Sequence, residues 1–496
     1  MKHAPVFSAA LLFAVVWLFA PPPAFSQDPP SQDAPSQEAP SQDATPTPAP
    51  AGSQPKPAGR EYQPFGDDQE SPPDATAFTP DTTPLTGVFV PGIGSPEIQH
   101  SYWVPGLQYG NFIRSSGALQ PSVPDWNSTS YIAGNLSLLE NWSRSQLGVN
   151  YSGGATFSTD KSQGNSYYHQ LSFSQSFNWQ RWQLAFVDQF SYLPESQFGF
   201  GTASSFAIPG VGGSLGLSLP GLQNNYQPNQ SVFASIGPRY SNSTTAQVAY
   251  QLSARGSLSF SASYGFLRFE DPGNFNSNDA IFGVGYNYAL SKKDTIGILY
   301  RFSDYQYDNN PQAIKDQVVQ LAYGRKVTGK LALQLLAGPE YTGFRVPLLS
   351  GATNNISLAA GANLTYSLPR TSLSVEYNYG VTGGSGVLVG SNTNQVQGSI
   401  NRRLTRVWHG GISGGYARNT TLGGANVLRV SPSFDSWFAG AGLDRPLGRT
   451  STVNLGYTAF FQNVGGMGCT AQVCVDYLQE QVSVSLQWHT RPFVLR

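Results

Sequence analysis

Gln481-Val482-Ser483-Val484-Ser485-Leu486-Gln487-Trp488 alternates strictly. Val482, Val484, Leu486 and Trp488 share one face, and Gln481, Ser483, Ser485 and Gln487 share the other. Side chains of a strand point to opposite faces in turn, so this run is a β-strand with one apolar and one polar side. The pattern recurs upstream. In Ser257–Phe266, Leu258, Phe260, Ala262, Tyr264 and Phe266 stand opposite four serines and Gly265. Thr295–Ser303 and Ser372–Tyr379 repeat it. A slip of one residue would invert every face, so register is strongly specified.

Length decides what kind of sheet this is. Strands of soluble sandwiches average about 5–6 residues. The alternating runs here extend over about 9–13, the length that crosses a bilayer at a tilt. Connections alternate in length as well. Short ones are predicted near 143–145, 180–181, 254–256, 291–293, 327–329, 368–370, 405–407 and 445–449. Long ones are predicted near 115–129, 158–166, 194–230, 270–278, 308–313, 343–353, 381–392, 419–427 and 463–474. These connections join eighteen antiparallel strands, an even count that returns both ends to one side, as bacterial barrels require. Sixteen is the alternative, should the first strand near 101–113 or a neighbour fail. The fold class is all-β, a transmembrane antiparallel barrel over 101–496.

Composition agrees. Charged residues make up 11% of the 496, against about 25% in ordinary soluble domains. Aromatics reach 13%. No run of about 20 apolar residues follows the N-terminus, which excludes a helical membrane protein. The net charge of -1 hides an asymmetry: residues 1–99 hold 3 basic and 11 acidic residues, the remainder 25 and 18.

The acidic part divides in two. Lys2 and His3 precede an apolar stretch from Val6 to Ala20, followed by Pro21–Pro23 and the small residues around Ser26. Residues 1–26 therefore read as a secretory signal peptide. Residues 27–86 are rich in Pro, Ser, Gln and Asp and repeat a Pro-Ser-Gln-acid unit. They cannot bury enough apolar surface to offset their ordering entropy, and are expected to form a disordered periplasmic arm. The arm is a plain linker or a spacer that touches the cell wall. Residues 87–100 turn apolar and form a connector or a plug.

Trp142, Trp179, Trp182, Trp408 and Trp488 all fall near predicted short turns or the C-terminus. Tryptophan favours the lipid headgroup level, so these five are expected to form a periplasmic aromatic girdle. Sixteen of the body's 25 cations also fall at the short turns or the C-terminus, among them Lys292, Lys293, Arg325 and Lys330. They form solvated turns, or a rim that holds anionic headgroups or the acidic arm.

The signal peptide, alternating strands, turn-and-loop rhythm and Trp girdle together resemble bacterial outer-membrane β-barrel proteins of the porin type. The resemblance covers about four fifths of the chain at fold level. It implies outer-membrane lipids and the barrel assembly machinery as partners. Such barrels usually end on an aromatic residue; here Trp488 and Phe493 are close, but Val494-Leu495-Arg496 follows.

Signs of chemistry are sparse. His100, His169, His409 and His489 lie on separate strands without metal-ligand spacing. Gly383–Gly386 and Gly410–Gly415 match neither the dinucleotide nor the phosphate-loop pattern and are taken as loop and strand glycines. No cofactor, metal, nucleic acid or catalytic residue is expected. Cys469 and Cys474 are expected to form a disulfide in the last long loop. By parity the lumen is lined by Ser, Gly, Asn, Gln and Thr, with Arg301, Glu340, Glu376 and Arg403 as its charges. The 194–230 loop is expected to fold inward as a constriction or lie outside as a cap. The expected function is porin-like passive diffusion of small hydrophilic solutes. An exopolysaccharide exporter, a plugged structural or adhesive barrel and a barrel enzyme are the rivals. Oligomeric state stays open.

Overall fold

The computed structural model describes residues 101–115, 126–159, 164–193, 238–270, 274–308, 310–348, 351–384, 386, 388–422, 433–465 and 476–494. The signal peptide, the arm, the 87–100 segment, the 194–230 loop, Cys469 and Cys474 lie outside them. Every regular element among the described residues is a strand. They are β1 (Tyr102–Ser115), β2 (Trp126–Asn141), β3 (Ser145–Ser158), β4 (Asn165–Asn178), β5 (Trp182–Leu193), β6 (Arg239–Gln251), β7 (Gly256–Phe269), β8 (Ser277–Ala289) and β9 (Asp294–Tyr307). Then follow β10 (Ala313–Lys326), β11 (Leu331–Phe344), β12 (Asn354–Leu368), β13 (Thr371–Thr382), β14 (Ser391–Arg403), β15 (His409–Thr421), β16 (Ser433–Pro446), β17 (Ser451–Gly465) and β18 (Tyr477–His489), and a two-residue extension, Phe493–Val494, lies beside Tyr102 and Trp103 of β1.

Each strand pairs antiparallel with the next. The sheet closes because β1 also pairs with β18, from Gly106 opposite His489 to Arg114 opposite Gln481. Closure removes the unpaired edges that no bilayer tolerates. The predicted count of eighteen is the observed one, and the first strand forms. Eight connections of two to five residues gather at one end, with the start of β1 and the end of β18. The nine others, of five residues or more, gather at the other. We call these the turn end and the loop end. The turns are closed by backbone bonds such as Trp142 N–H to the Ser145 carbonyl at 2.8 Å and Trp179 N–H to the Trp182 carbonyl at 2.8 Å.

The alternation in sequence becomes an outside and an inside. On β9, Ile296, Ile298 and Tyr300 are exposed while Leu299, Ser303 and Tyr305 are buried. On β18, Val482, Val484 and Leu486 are exposed and Gln481, Ser483 and Ser485 are buried. Leu321 is 70% exposed and Ile356 75% exposed. Large apolar side chains of this kind ring the barrel far beyond the few hundred Å² of contiguous apolar patch found on a water-soluble monomer. Strands of 12 to 16 residues exceed the length that crosses a bilayer. The exterior is therefore that of a membrane-spanning barrel.

Candidate channel constriction

An eighteen-stranded barrel is wide enough to hold an aqueous channel unless something fills it. The inward faces show where this one is wide. Toward the turn end, inward Asn150, Thr365, Ser372, Asn401, Thr452 and Asn454 are half-buried. Toward the loop end, inward Phe112, Tyr131, Tyr168, Leu267, Ile281 and Phe434 are at most 2% exposed. Large apolar side chains thus enter the interior toward the loop end, among buried polar ones such as Thr129, Ser277 and Asn419.

The segment between β13 and β14 accounts for part of that closure. β12 and β13 pair from Leu368 opposite Thr371 up to Ala360 opposite Tyr379, and no further. β13 and β14 stay paired to Thr382 opposite Ser391. The tip of this hairpin thus leaves its β12 neighbour and turns into the barrel. Its base is tied by Thr382 Oγ1, 2.9 Å from both Ser391 Oγ and Thr393 Oγ1, and by Thr393 Oγ1 donating to Asn419 Oδ1 at 2.8 Å.

Inside, the segment meets several strands. The Tyr307 hydroxyl donates to the Gly383 carbonyl at 2.7 Å, and Phe275 N–H donates to the Gly386 carbonyl at 2.7 Å. Val381 packs with Tyr305, Tyr307, Ile314 and Phe344, and Val389 lies against the same cluster. Leu388 packs on Phe434. Gly386 has φ of 89° and lies so close to the Phe269 ring that a Cβ would strike it. Gly390, at φ 73°, is similarly close to Ile314. Both positions need glycine for conformation and for space. Phe269 ends β7 and Phe434 begins β16, nine strands apart in a ring of eighteen. The segment therefore spans the lumen near the loop end.

Charges cluster beside it. Arg301 Nη2 lies 3.6 Å from Asp316 Oδ2, and Thr342 Oγ1 donates to Asp316 Oδ1 at 3.0 Å. Glu340, fully buried, accepts bonds from Ser357 Oγ at 2.8 Å and from Val381 N–H at 2.9 Å. It thereby holds the first residue of the inward turn. Glu376 accepts from Asn378 Nδ2 at 2.7 Å and Gln397 Nε2 at 3.0 Å. Of the expected lumen charges, Arg301, Glu340 and Glu376 lie on inward faces, whereas Arg403 sits exposed at the turn end. Asp279 and Asp316 were not anticipated and are buried inward; so are Arg114 and Arg239. Three buried carboxyl groups, Asp279, Asp316 and Glu340, thus share the β8–β11 wall with Arg301. Arg114, on β1, lies nine strands from β10.

The remaining expected residues are placed as follows. Trp142 and Trp179 sit in short turns, Trp182 opens β5 and Trp488 lies near the end of β18, all exposed. Trp408 precedes β15 with the Arg445 guanidinium 5.3 Å from its ring centre. Trp103, stacked on Phe493 at 4.9 Å, shares that end. His169 contacts the Tyr151 hydroxyl, His409 lies 3.0 Å from Asp444, and His489 contacts the Thr490 carbonyl. A further outward charge, Asp188 on β5, accepts bonds from Asn242 Nδ2 and Thr244 Oγ1.

Among solved structures, the chain is similar to OpdQ of Pseudomonas aeruginosa, at 10% identity over 78% of this chain and 98% of that one, with a TM-score of 0.40. It is also similar to the outer membrane protein OpdK of Pseudomonas aeruginosa, at 10% identity over 78% and 99%, with a TM-score of 0.39. A BenF-like porin from Pseudomonas fluorescens Pf-5 gives 10% identity over 79% and 99%, with a TM-score of 0.39. No protein-family model and no curated protein matches the sequence.

Proposed function

We propose that the chain is a porin-like channel of the bacterial outer membrane for passive diffusion of small hydrophilic solutes. The observation that carries this reading is a closed barrel, apolar outside, whose interior is crossed, among the described residues, by the segment that carries Gly383, Gly386 and Leu388–Gly390. No step of chemistry is required: the barrel supplies a path, and the segment sets the size that passes. The turn end, where β1 begins, is assigned to the periplasm, together with the 27–86 arm once the signal peptide is removed.

A second reading has its own support. The large apolar side chains buried inward at the loop end are those of a plugged, non-conducting barrel. Single-channel recording of the refolded protein, starting after residue 26, in a planar bilayer separates the two. Stable current steps are expected. A silent bilayer, with the barrel shown folded by its heat-dependent gel shift, would replace the channel by the plugged barrel.

A further inference from the structure

The outer surface carries a groove that the transport reading does not use. It has a volume of about 580 Å³ and lies across β8–β11. Tyr286, Ile296, Ile298, Leu321 and Leu335 line it, and Ala337 leaves room between the larger side chains. These five line the exposed face of their strands. The groove therefore opens to lipid, not to the lumen.

Directly beyond it, at the turn end, two neighbouring turns carry exposed Lys292, Lys293 and Lys330, with exposed Arg325 at the end of β10. Lys326 N–H donates to the Lys293 carbonyl at 2.8 Å, which joins the first turn to the end of β10, and Ser367 N–H of β12 donates to the Lys330 carbonyl at 2.8 Å, which holds the second. One carboxylate answers the four cations. Asp294 lies 3.7 Å from Arg325 Nε and accepts from the Tyr323 hydroxyl at 2.8 Å and from Ser291 Oγ at 2.8 Å. Tyr286, Tyr288 and Tyr323 on the groove wall place phenol rings next to this charge, as expected at headgroup depth.

We propose that this groove and its cations form a site for one anionic phospholipid, with an acyl chain along Ile296, Leu321 and Leu335 and its phosphate among Lys292, Lys293, Arg325 and Lys330. Within a bilayer a tail gains no hydrophobic energy on moving from other tails into the groove. The groove thus fixes where the lipid lies, and the net positive turns decide which headgroup is kept.

The site rests on the membrane-barrel reading, and its test keeps the two apart. The refolded full-length mature chain is held in detergent with equimolar phosphatidylglycerol and phosphatidylcholine, and retained lipid is counted by native mass spectrometry. About one phosphatidylglycerol per barrel is expected, retained at least about tenfold over phosphatidylcholine. The combined Lys292→Gln, Lys293→Gln, Arg325→Gln and Lys330→Gln variant should lose that preference. Ala337→Phe, which fills the groove and leaves every charge in place, should lose the retained lipid. Arg181→Gln with Arg255→Gln, at distant turns, should change neither. Equal retention of both lipids overturns the site, as does a preference that survives Ala337→Phe or falls equally in the distant variant. A chain that never inserts into phosphatidylcholine vesicles would instead overturn the membrane barrel itself.

Discussion

The two ends of this lumen are built from the same strands and differ in what those strands point inward. At the turn end inward Asn150, Thr365, Asn401 and Thr452 keep part of their surface free. At the loop end Phe112, Tyr168, Leu267 and Phe434 are buried, among equally buried Asp316, Glu340 and Thr342. An apolar inward face is wasteful in a water-filled tube, because it leaves hydrocarbon in water. It makes sense where something covers it, and Gly383–Gly390 does so for Phe269, Ile314 and Phe434. Width is thus set by which inward positions carry large side chains, and the closed sheet itself stays unchanged.

The comparison can be broken most directly by replacing residues 383–390 with a two-residue turn. Single-channel conductance should rise severalfold, because the spanning segment is gone and the ring of strands remains. An unchanged step size would move the constriction elsewhere. Next in size is Arg301→Leu, which leaves the buried Asp316 carboxylate without its guanidinium. Breaking a buried pair in this way costs about 3–5 kcal/mol, to be read from urea unfolding in phosphatidylcholine vesicles. Gly386→Val acts on the segment alone. Strain at a positive φ and the clash with Phe269 together should cost that conformation about 1–3 kcal/mol. Noisier, larger current steps with an unaltered urea midpoint are the expected record. The smallest effect belongs to the turn end. Asn363→Ala, at an exposed inward position of β12, should leave step size within measurement scatter. A clear change there would erase the contrast between the ends.

Most of the wall was legible before any coordinates. Period-two alternation and the rhythm of short and long connections predict eighteen strands, because each strand must present one face to lipid and cross a fixed thickness. The constriction was not legible. Gly383–Gly386 reads as ordinary loop, since nothing local separates a glycine-rich turn that stays outside from one that turns in. The deciding contacts, with Phe269, Tyr307 and Phe434, are remote in sequence. Asp316 escaped for a different reason. On β10 the inward Ile314, Val318 and Ala322 are as apolar as the outward Val319 and Leu321. Parity has no contrast to work on there. Arg301 and Glu340 lie on strands where the exposed face is more clearly apolar, as with Ile296 and Ile298 on β9 and Leu335 and Tyr341 on β11. The signal that finds Asp316 is its cross-strand position opposite Ser303 and Thr342, available once register is known.

The seam between β1 and β18 has a kinetic meaning. Gly106 and His489 face each other across it, although more than three quarters of the sequence separates them. Hairpins along the chain can form from neighbours, but this last ladder has to bring together the first strand and the last. Closing so long a loop costs entropy before any bond of the seam is gained. Until it closes, an open-ended sheet presents two raw edges to hydrocarbon. Assembly should therefore show one slow, late step whose rate depends on the β1–β18 strands and hardly on the hairpins between them. A polypeptide lacking β18 would wait as an unsealed sheet, ready to add any strand offered to it.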